Sequence, residues 1–587
     1  MEKQNYGEVD LLVSHAIKAL ETYKNYDQET IDHIVAKVSV AAIDAHGKLA
    51  KEAVLETKKG VFEDKATKNL FSVEYVINHM RHLKTVGVIS ENKVTGITEI
   101  ADPVGVICAI TPVTNPTSTT IFKALIALKT RNPIIFAFHP SAQKSSELAA
   151  KIVYEAAIKA GAPKDCISWI KEPSMEKTNQ LMNHPDVSTI LATGGNAMVK
   201  AAYSCGKPAL GVGAGNVPAF IEKSADIKQA VSDIVMSKSF DNGMVCASEQ
   251  AAIIQADIYK EVIEEFKKYK VHFLTETEKK KIENLAFPDN KNLNSQIVGQ
   301  SAYHIAQQAG FIVEKDTSIL AALCKEVGEK EVLTREKLSP ILAILKAKDE
   351  KEGIALAEKM VEFNGLGHSA VIHSQNKEII KDFGLQLKAI RIISNSPATF
   401  GGIGNIYNRF IPSLTLGCGS YGKNSVGDNV SAVHLLNIKK IGERKNNMQW
   451  FKIPSKIYFE KDSIEYLRQM REMTKAIIVT DRVMVDLGYV KKVTDQLELR
   501  RNHVSYQLFC DVEADPSIET VYKGYELMKS FEPDTIIAIG GGSPMDAAKA
   551  MWLFYENPEI DFNDLKQKFM DIRKRAFRYP ELGKKTK

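Results

Sequence analysis

Three times between residues 133 and 204 the chain repeats one unit: a short β-branched or aromatic run, a turn, and a helical stretch. Residues 133–138 read as a buried strand followed by the turn His139-Pro140-Ser141. Ser145 or Ser146 then caps a helix through Ala160, which Gly161 and Pro163 stop. Residues 166–170 form the second strand and 175–183 its helix. Residues 187–192 form the third, turning through Thr193-Gly194-Gly195 into a helix over 196–204. This rhythm specifies βαβ units and a parallel sheet with helices packed on it. Such open α/β sheets bind ligands beyond the carboxyl ends of their strands, and a nucleotide is the leading ligand.

The flanks read differently. Residues 8–80 are rich in Ala, Lys, Glu, Leu and Val, with apolar positions such as Val9, Leu12, Ile17 and Leu20 near helical spacing. The charged run 441–447 (IGERKNN) reads as part of a linker over 441–450. An α/β rhythm resumes beyond it, with a strand over 475–480 ending at Asp481. A second strand, 534–539, runs into Gly540-Gly541-Gly542-Ser543-Pro544-Met545-Asp546 and a helix. The 587 residues leave room for several domains. The expected organisation is 1–440, a linker over 441–450, and 451–587.

Charge and cysteine usage narrow the function. Lys plus Arg number 77 against 72 acidic residues, too even a balance for nucleic-acid binding. The basic tail from Lys566 is interspersed with Asp571 and Glu581, as a solvated face is. Seven cysteines without a CxxC pair fit a reducing compartment, so the expected location is the cytoplasm. No signal-like N-terminus is present, and the apolar runs 104–110 and 134–138 are too short to span a membrane.

Two short segments carry candidate chemistry. Cys246 lies in Asp241-Asn242-Gly243-Met244-Val245-Cys246-Ala247-Ser248, a loop leading into a strand over 250–254 and a fit place for a nucleophile. Asn115 lies in Thr111-Pro112-Val113-Thr114-Asn115-Pro116, where flanking prolines fix a turn and hold the amide rigid as an oxyanion donor.

Together these segments resemble the aldehyde dehydrogenase superfamily over roughly residues 10–440. The resemblance implies a Rossmann-like NAD domain plus an α/β catalytic domain. It implies catalytic roles for Cys246 as nucleophile and Asn115 as oxyanion donor. His139, Pro140 and Ser141 stand where the family holds the adenosine ribose, and Thr193, Gly194 and Gly195 match its nucleotide turn. Glu336, in Glu336-Lys337-Leu338-Ser339-Pro340, matches the residue that contacts the nicotinamide ribose. Hydrolytic members carry a Glu-Leu-Gly-Gly-Lys segment whose Glu activates water; here the stretch is Val212-Gly213-Ala214-Gly215-Asn216, so the base is replaced by Val212. Without it the acyl-enzyme waits for an external thiol. His139 replaces the lysine that pairs with the 2′-phosphate of NADP, which favours NAD. His368, in Asn364-Gly365-Leu366-Gly367-His368-Ser369-Ala370, and the segment Thr415-Leu416-Gly417-Cys418-Gly419-Ser420 resemble the CoA-acylating subfamily, specifically the aldehyde half of bifunctional aldehyde-alcohol dehydrogenases. His368 is assigned to CoA or the thioester.

Residues 451–587 resemble the nucleotide-binding part of iron-type alcohol dehydrogenases, a partial α/β domain. Gly540, Gly541, Gly542, Ser543 and Asp546 form its nucleotide loop, and Asp481 lies near the adenosine. No histidine follows His503, so no metal ligands are assigned, iron is not expected, and the domain reads as truncated and inactive. The resulting expectation is an NAD-dependent enzyme interconverting a short-chain aldehyde, such as acetaldehyde, plus coenzyme A with acyl-CoA. A homo-oligomer, filament-forming in the full-length family, is also expected. An acyl-phosphate reductase of the glutamyl-phosphate type, or an inactive filament scaffold, are the rival readings.

Overall fold

The computed structural model describes residues 7–443, 453–560 and 581–586. Two compact units emerge, Met1–Gly442 and Glu443–Lys587. Among the described residues no helix is long and apolar enough to cross a membrane.

The first unit opens with four helices, Glu8–Tyr23, Gln28–Asp44, His46–Thr57 and Phe62–Met80. The last buries Phe71, Val73 and Val76, and on the same face Lys65, Lys68 and Asn69. An antiparallel sheet follows, with Ile97–Pro103 between Gly87–Asn92 and Leu436–Gly442. That sheet corrects the linker expectation: Ile441 and Gly442 pair with Thr98 and Ile97. The strand Leu436–Gly442 is solvent-exposed along nearly its whole length, which is why its charges mimic a linker. Residues 444–450 of the expected linker lie outside the described residues.

The nucleotide-type sheet is parallel, in the order Ile167–Trp169, Ile134–Ala137, Val106–Ile110, Val187–Thr193, Ala209–Val212. Its first strand in the chain is therefore Val106–Ile110, ahead of the expected start at Pro133, and it lies in the middle. Chain order reverses on either side of it, which opens a crevice at the carboxyl edge. The helices over 175–183 and 196–204 form as expected. The helix Gln143–Lys159 is not capped by Ser145 or Ser146; instead Glu56 accepts the backbone N–H groups of Lys144 and Ser145 at 2.8 and 2.7 Å.

A second parallel sheet, of seven strands, runs Val271–Phe273, Ile319–Leu323, Ile341–Ala347, Glu249–Gln255, Val217–Ile221, Gly367–His373, Ala389–Ser394. All seven residues of Glu249–Gln255 and of Gly367–His373 are buried. Strands covered on both faces lose the alternation of half-exposed ones. The second unit holds a smaller parallel sheet, Ser505–Phe509, Lys475–Val479, Thr535–Ala538, with the helix Gly542–Glu556 leaving its edge.

Candidate active site

Cys246 sits where the helix Ile227–Ser239 gives way to the strand Glu249–Gln255. The connection is tight: Asp241 and Asn242 take left-handed φ values of 49° and 53°, and Gly243 follows at 69°. Asp241 is fully buried, its backbone N–H donating to Asp64 at 2.7 Å and its carboxylate accepting the Val61 N–H at 2.7 Å. Cys246 packs on an apolar cluster containing Phe71, Val212, Val245, Ala247, Ile403 and Leu416, with Phe240 and Phe400 in edge contact at 4.9 Å. Burial pushes its thiol up to about 12; Glu336 and Cys418 add to the rise and Arg391 opposes it. The resting side chain is therefore a protonated thiol at neutral pH.

Gly215 is the close neighbour. A Cβ there would lie 2.2 Å from the Cys246 carbonyl oxygen and 3.0 Å from His368 Nδ1, so glycine alone allows this approach. Its N–H donates to Glu336 Oε1 at 3.0 Å. Burial raises the Glu336 carboxyl to about 7 against that hydrogen bond and the charges of Lys238 and Lys337. His368 is fully buried, with Nδ1 3.1 Å from Ser369 Oγ and Nε2 without a partner among the described residues. Burial and then Arg391 hold it well below its usual range, so it is a neutral imidazole with one nitrogen spare. Arg391 spans from Ser369 Oγ (3.1 Å) to the Gly417 carbonyl (2.7 Å), tying the Thr415–Ser420 segment to the His368 strand.

Asn115 lies at the carboxyl edge of the nucleotide-type sheet, as N-cap residue of the helix Pro116–Lys129, yet its side chain makes no cap bond. The chain bends at residues 113–115 ahead of the helix, and the side chain turns to partners other than the helix N-terminus. Lys68 Nζ donates both to Asn115 Oδ1 and to Asp241 Oδ2. Lys65 Nζ donates to the Thr114 carbonyl at 3.1 Å and to Asp241 Oδ2 at 3.2 Å. Burial and Lys68 lower Lys65 to about 8. The helix Phe62–Met80 thereby joins the Asn115 turn to the loop that bears Cys246. Sequence reasoning missed Lys65, Lys68, Gly215 and Arg391; the available signal was two lysines, three apart, in register with Phe71 and Ser72 on a buried helical face.

The nucleotide candidates gather on the same sheet edge. His139, Pro140 and Ser141 follow one strand, with the Ser141 N–H donating to His139 Nδ1 at 3.1 Å. Thr193 ends another, its Oγ1 3.3 Å from Thr415 Oγ1. Gly195 is the N-cap of Asn196–Ser204 with no side-chain cap, leaving amide groups for a diphosphate. These features fit NAD(P). Glu336 accepts the N–H of Gly215, three residues past the carboxyl end of the strand Ala209–Val212 of that sheet, while Lys337 beside it bonds Gln250 of the second sheet. Burial and then Lys59 lower His139, so a cation stands near the place where a lysine was missed.

In the second unit Asp481, Gly541, Gly542 and Ser543 line a cleft of about 580 Å³ together with Arg482, Cys510 and Asp511. Gly540, at φ 138°, packs on Pro544, and the helix Gly542–Glu556 starts at Gly541 without a side-chain cap. The cleft fits a nucleotide phosphate. Asp546 is not among its lining residues and pairs with Lys549 at 3.4 Å. Among the described residues no three His, Cys, Asp or Glu side chains cluster for a metal, and His503 is exposed.

The sequence profile described as "Aldehyde dehydrogenase family" matches residues 1–405, and that described as "Iron-containing alcohol dehydrogenase" matches 454–579. The chain is 66% identical to the "Aldehyde-alcohol dehydrogenase" of Streptococcus pneumoniae, over 99% of this chain and 66% of that protein. It is 59% identical to "Aldehyde-alcohol dehydrogenase 2" of Entamoeba histolytica, over 99% of this chain and 68% of that protein. The chain thus spans about two thirds of these relatives' length. An acetylating aldehyde dehydrogenase from Geobacillus thermoglucosidasius superposes on 76% of this chain and 98% of its own, with TM-score 0.74 and 45% identity.

Proposed function

The chain belongs to the aldehyde dehydrogenase family and, along its length, to the bifunctional aldehyde-alcohol dehydrogenases, and from that footing we propose that its first unit interconverts a short-chain aldehyde plus coenzyme A with acyl-CoA, using NAD. The observation that carries this reading is the wall of Cys246. Where a water-activating carboxylate would stand in a hydrolytic relative, Val212 is 2% exposed and packs in the thiol's apolar cluster.

Cys246 Sγ, once deprotonated, attacks the carbonyl carbon, and an Asn115 Nδ2–H receives the oxyanion. NAD, when bound by the Thr193-Gly194-Gly195 turn and the His139 turn, supplies the hydride acceptor that turns this adduct into a thioester. Val212 and its apolar neighbours keep water from an activating base, so the thioester persists until a CoA thiol attacks it. His368 Nε2, buried and without a partner among the described residues, takes the proton of that thiol. Phe71, Phe240 and Phe400 give the surroundings of Cys246 an apolar character suited to a short acyl chain. The relative called acetylating supports an acetyl group.

The second unit contributes a glycine-lined cleft, with no metal-ligating cluster among the described residues, and no alcohol chemistry is assigned to it. We also assign this chain to a homo-oligomer in the cytoplasm. The deciding experiment is NADH oxidation driven by acetyl-CoA. An acyl-phosphate reductase would turn over with acyl phosphate instead, and a scaffold with neither. Turnover without CoA or acyl-CoA would contradict the proposal.

A further inference from the structure

We infer that Lys68 is a positioning residue for the oxyanion donor: its ammonium fixes the orientation of the Asn115 amide and polarises it. This rests on the aldehyde chemistry proposed above. An ammonium has three donors and no acceptor, so the Lys68 contact obliges the oxygen of Asn115, rather than its nitrogen, to face the helix Phe62–Met80. The nitrogen is thereby turned away from Lys68. One of its N–H groups has a long contact to Thr114 Oγ1 at 3.3 Å, and the other has no protein partner among the described residues. The backbone makes no competing claim, because Asn115 caps its helix without using its side chain.

The charge matters as well as the direction. Lys68 is 3% exposed, so its hydrogen bond to the amide oxygen works away from water, where bonds in a chain strengthen one another. Drawing electron density toward Oδ1 makes Nδ2–H a better donor to an oxyanion. Asp241 holds the ammonium in place from the other side and lies five positions before Cys246, so one lysine sets the oxyanion donor against the loop of the nucleophile. Lys65 also pairs with Asp241, at 3.2 Å, so loss of the Lys68 charge does not strand that carboxylate.

The test is single-turnover NADH formation from saturating acetaldehyde and NAD in the full chain. Lys68→Met is expected to slow it about 10- to 100-fold, somewhat less than deletion of an oxyanion donor itself. In an Asn115→Ala background the same substitution should cost less than about threefold, because its route is already gone. Alkylation of Cys246 by iodoacetamide, which forms no oxyanion, should change less than about twofold. If Lys68→Met does not fold, Lys68→Gln keeps an uncharged donor and is read by the same cycle, with an expected loss of about three- to tenfold. Equal losses in both backgrounds, alkylation falling in step with turnover, or an unchanged rate would overturn the assignment. Absence of NADH formation in the unsubstituted chain would instead overturn the proposed function.

Discussion

Gly215→Ala probes how closely the two halves of the site approach. The added Cβ would fall 2.2 Å from the Cys246 carbonyl oxygen, against 3.4 Å for ordinary contact. The obstacle is backbone, so it cannot swing away as a side-chain tip would. A displacement of about 1 Å must be shared between the Gly215 loop and the Cys246 loop, and misplacement of that size costs on the order of 100-fold in rate. His368 Nδ1 at 3.0 Å blocks retreat on a second side. The φ of Gly215 is outside the glycine-only region, so no backbone strain confounds the result. The assay is acetyl-CoA-dependent NADH oxidation with thermal unfolding measured in parallel. A fall of about 100-fold with a small change in Tm is expected. Activity within about threefold of the unsubstituted chain would refute the described contact between Gly215 and the nucleophile loop.

Four further outcomes follow from the structure. With the Cys246 thiol raised to about 12, its alkylation by iodoacetamide should climb about tenfold per pH unit from pH 7 to 10, and a plateau near pH 8.5 would contradict the burial. Glu336→Gln should speed alkylation above pH 7, where the native carboxylate is ionised and opposes the thiolate, but not at pH 6, where it is protonated; equal acceleration at both would contradict the coupling. Val212→Glu should divert part of the thioester to free acid, measured without CoA, and free acid made by the unsubstituted chain as fast as acyl-CoA would remove the argument from Val212. Ethanol should not reduce NAD with this chain, and stoichiometric bound iron with alcohol turnover would contradict the reading of the second unit.

The legible parts of the sequence were those with local punctuation. Ser174 and Asn183, or Gly195 and Ser204, bracket helices whose ends follow from turn chemistry alone. Val106–Ile110 offered no such mark. All five of its residues are buried, so it has no period to read, and its place at the sheet centre depends on partners more than twenty residues away. The hairpin Gly87–Asn92 and Ile97–Pro103 was missed because its third strand arrives from residue 436. Cys246, Asn115 and His368 were legible as residue types in distinctive surroundings, but what joins them was not. Nothing in the sequence sets Lys65 and Lys68 apart from the other lysines of the helical segment 8–80; Asp241, more than 170 residues later, is what folds against them. Glu336 was found by resemblance, yet its bond to the Gly215 N–H, which keeps it at the nucleophile's side, depends on two distant loops meeting.

The central claim is that the acyl group rests on Cys246 and waits there for a thiol. Mass spectrometry of the chain incubated with acetyl-CoA, without NADH, tests it most directly. The account predicts one acetyl group on the peptide carrying Cys246, lost on addition of CoA or of NADH, and absent from Cys246→Ala, which also fails to oxidise NADH. An unmodified Cys246 peptide in a chain that still reduces acetyl-CoA, or a Cys246→Ala variant that keeps more than about a tenth of the activity, would contradict it.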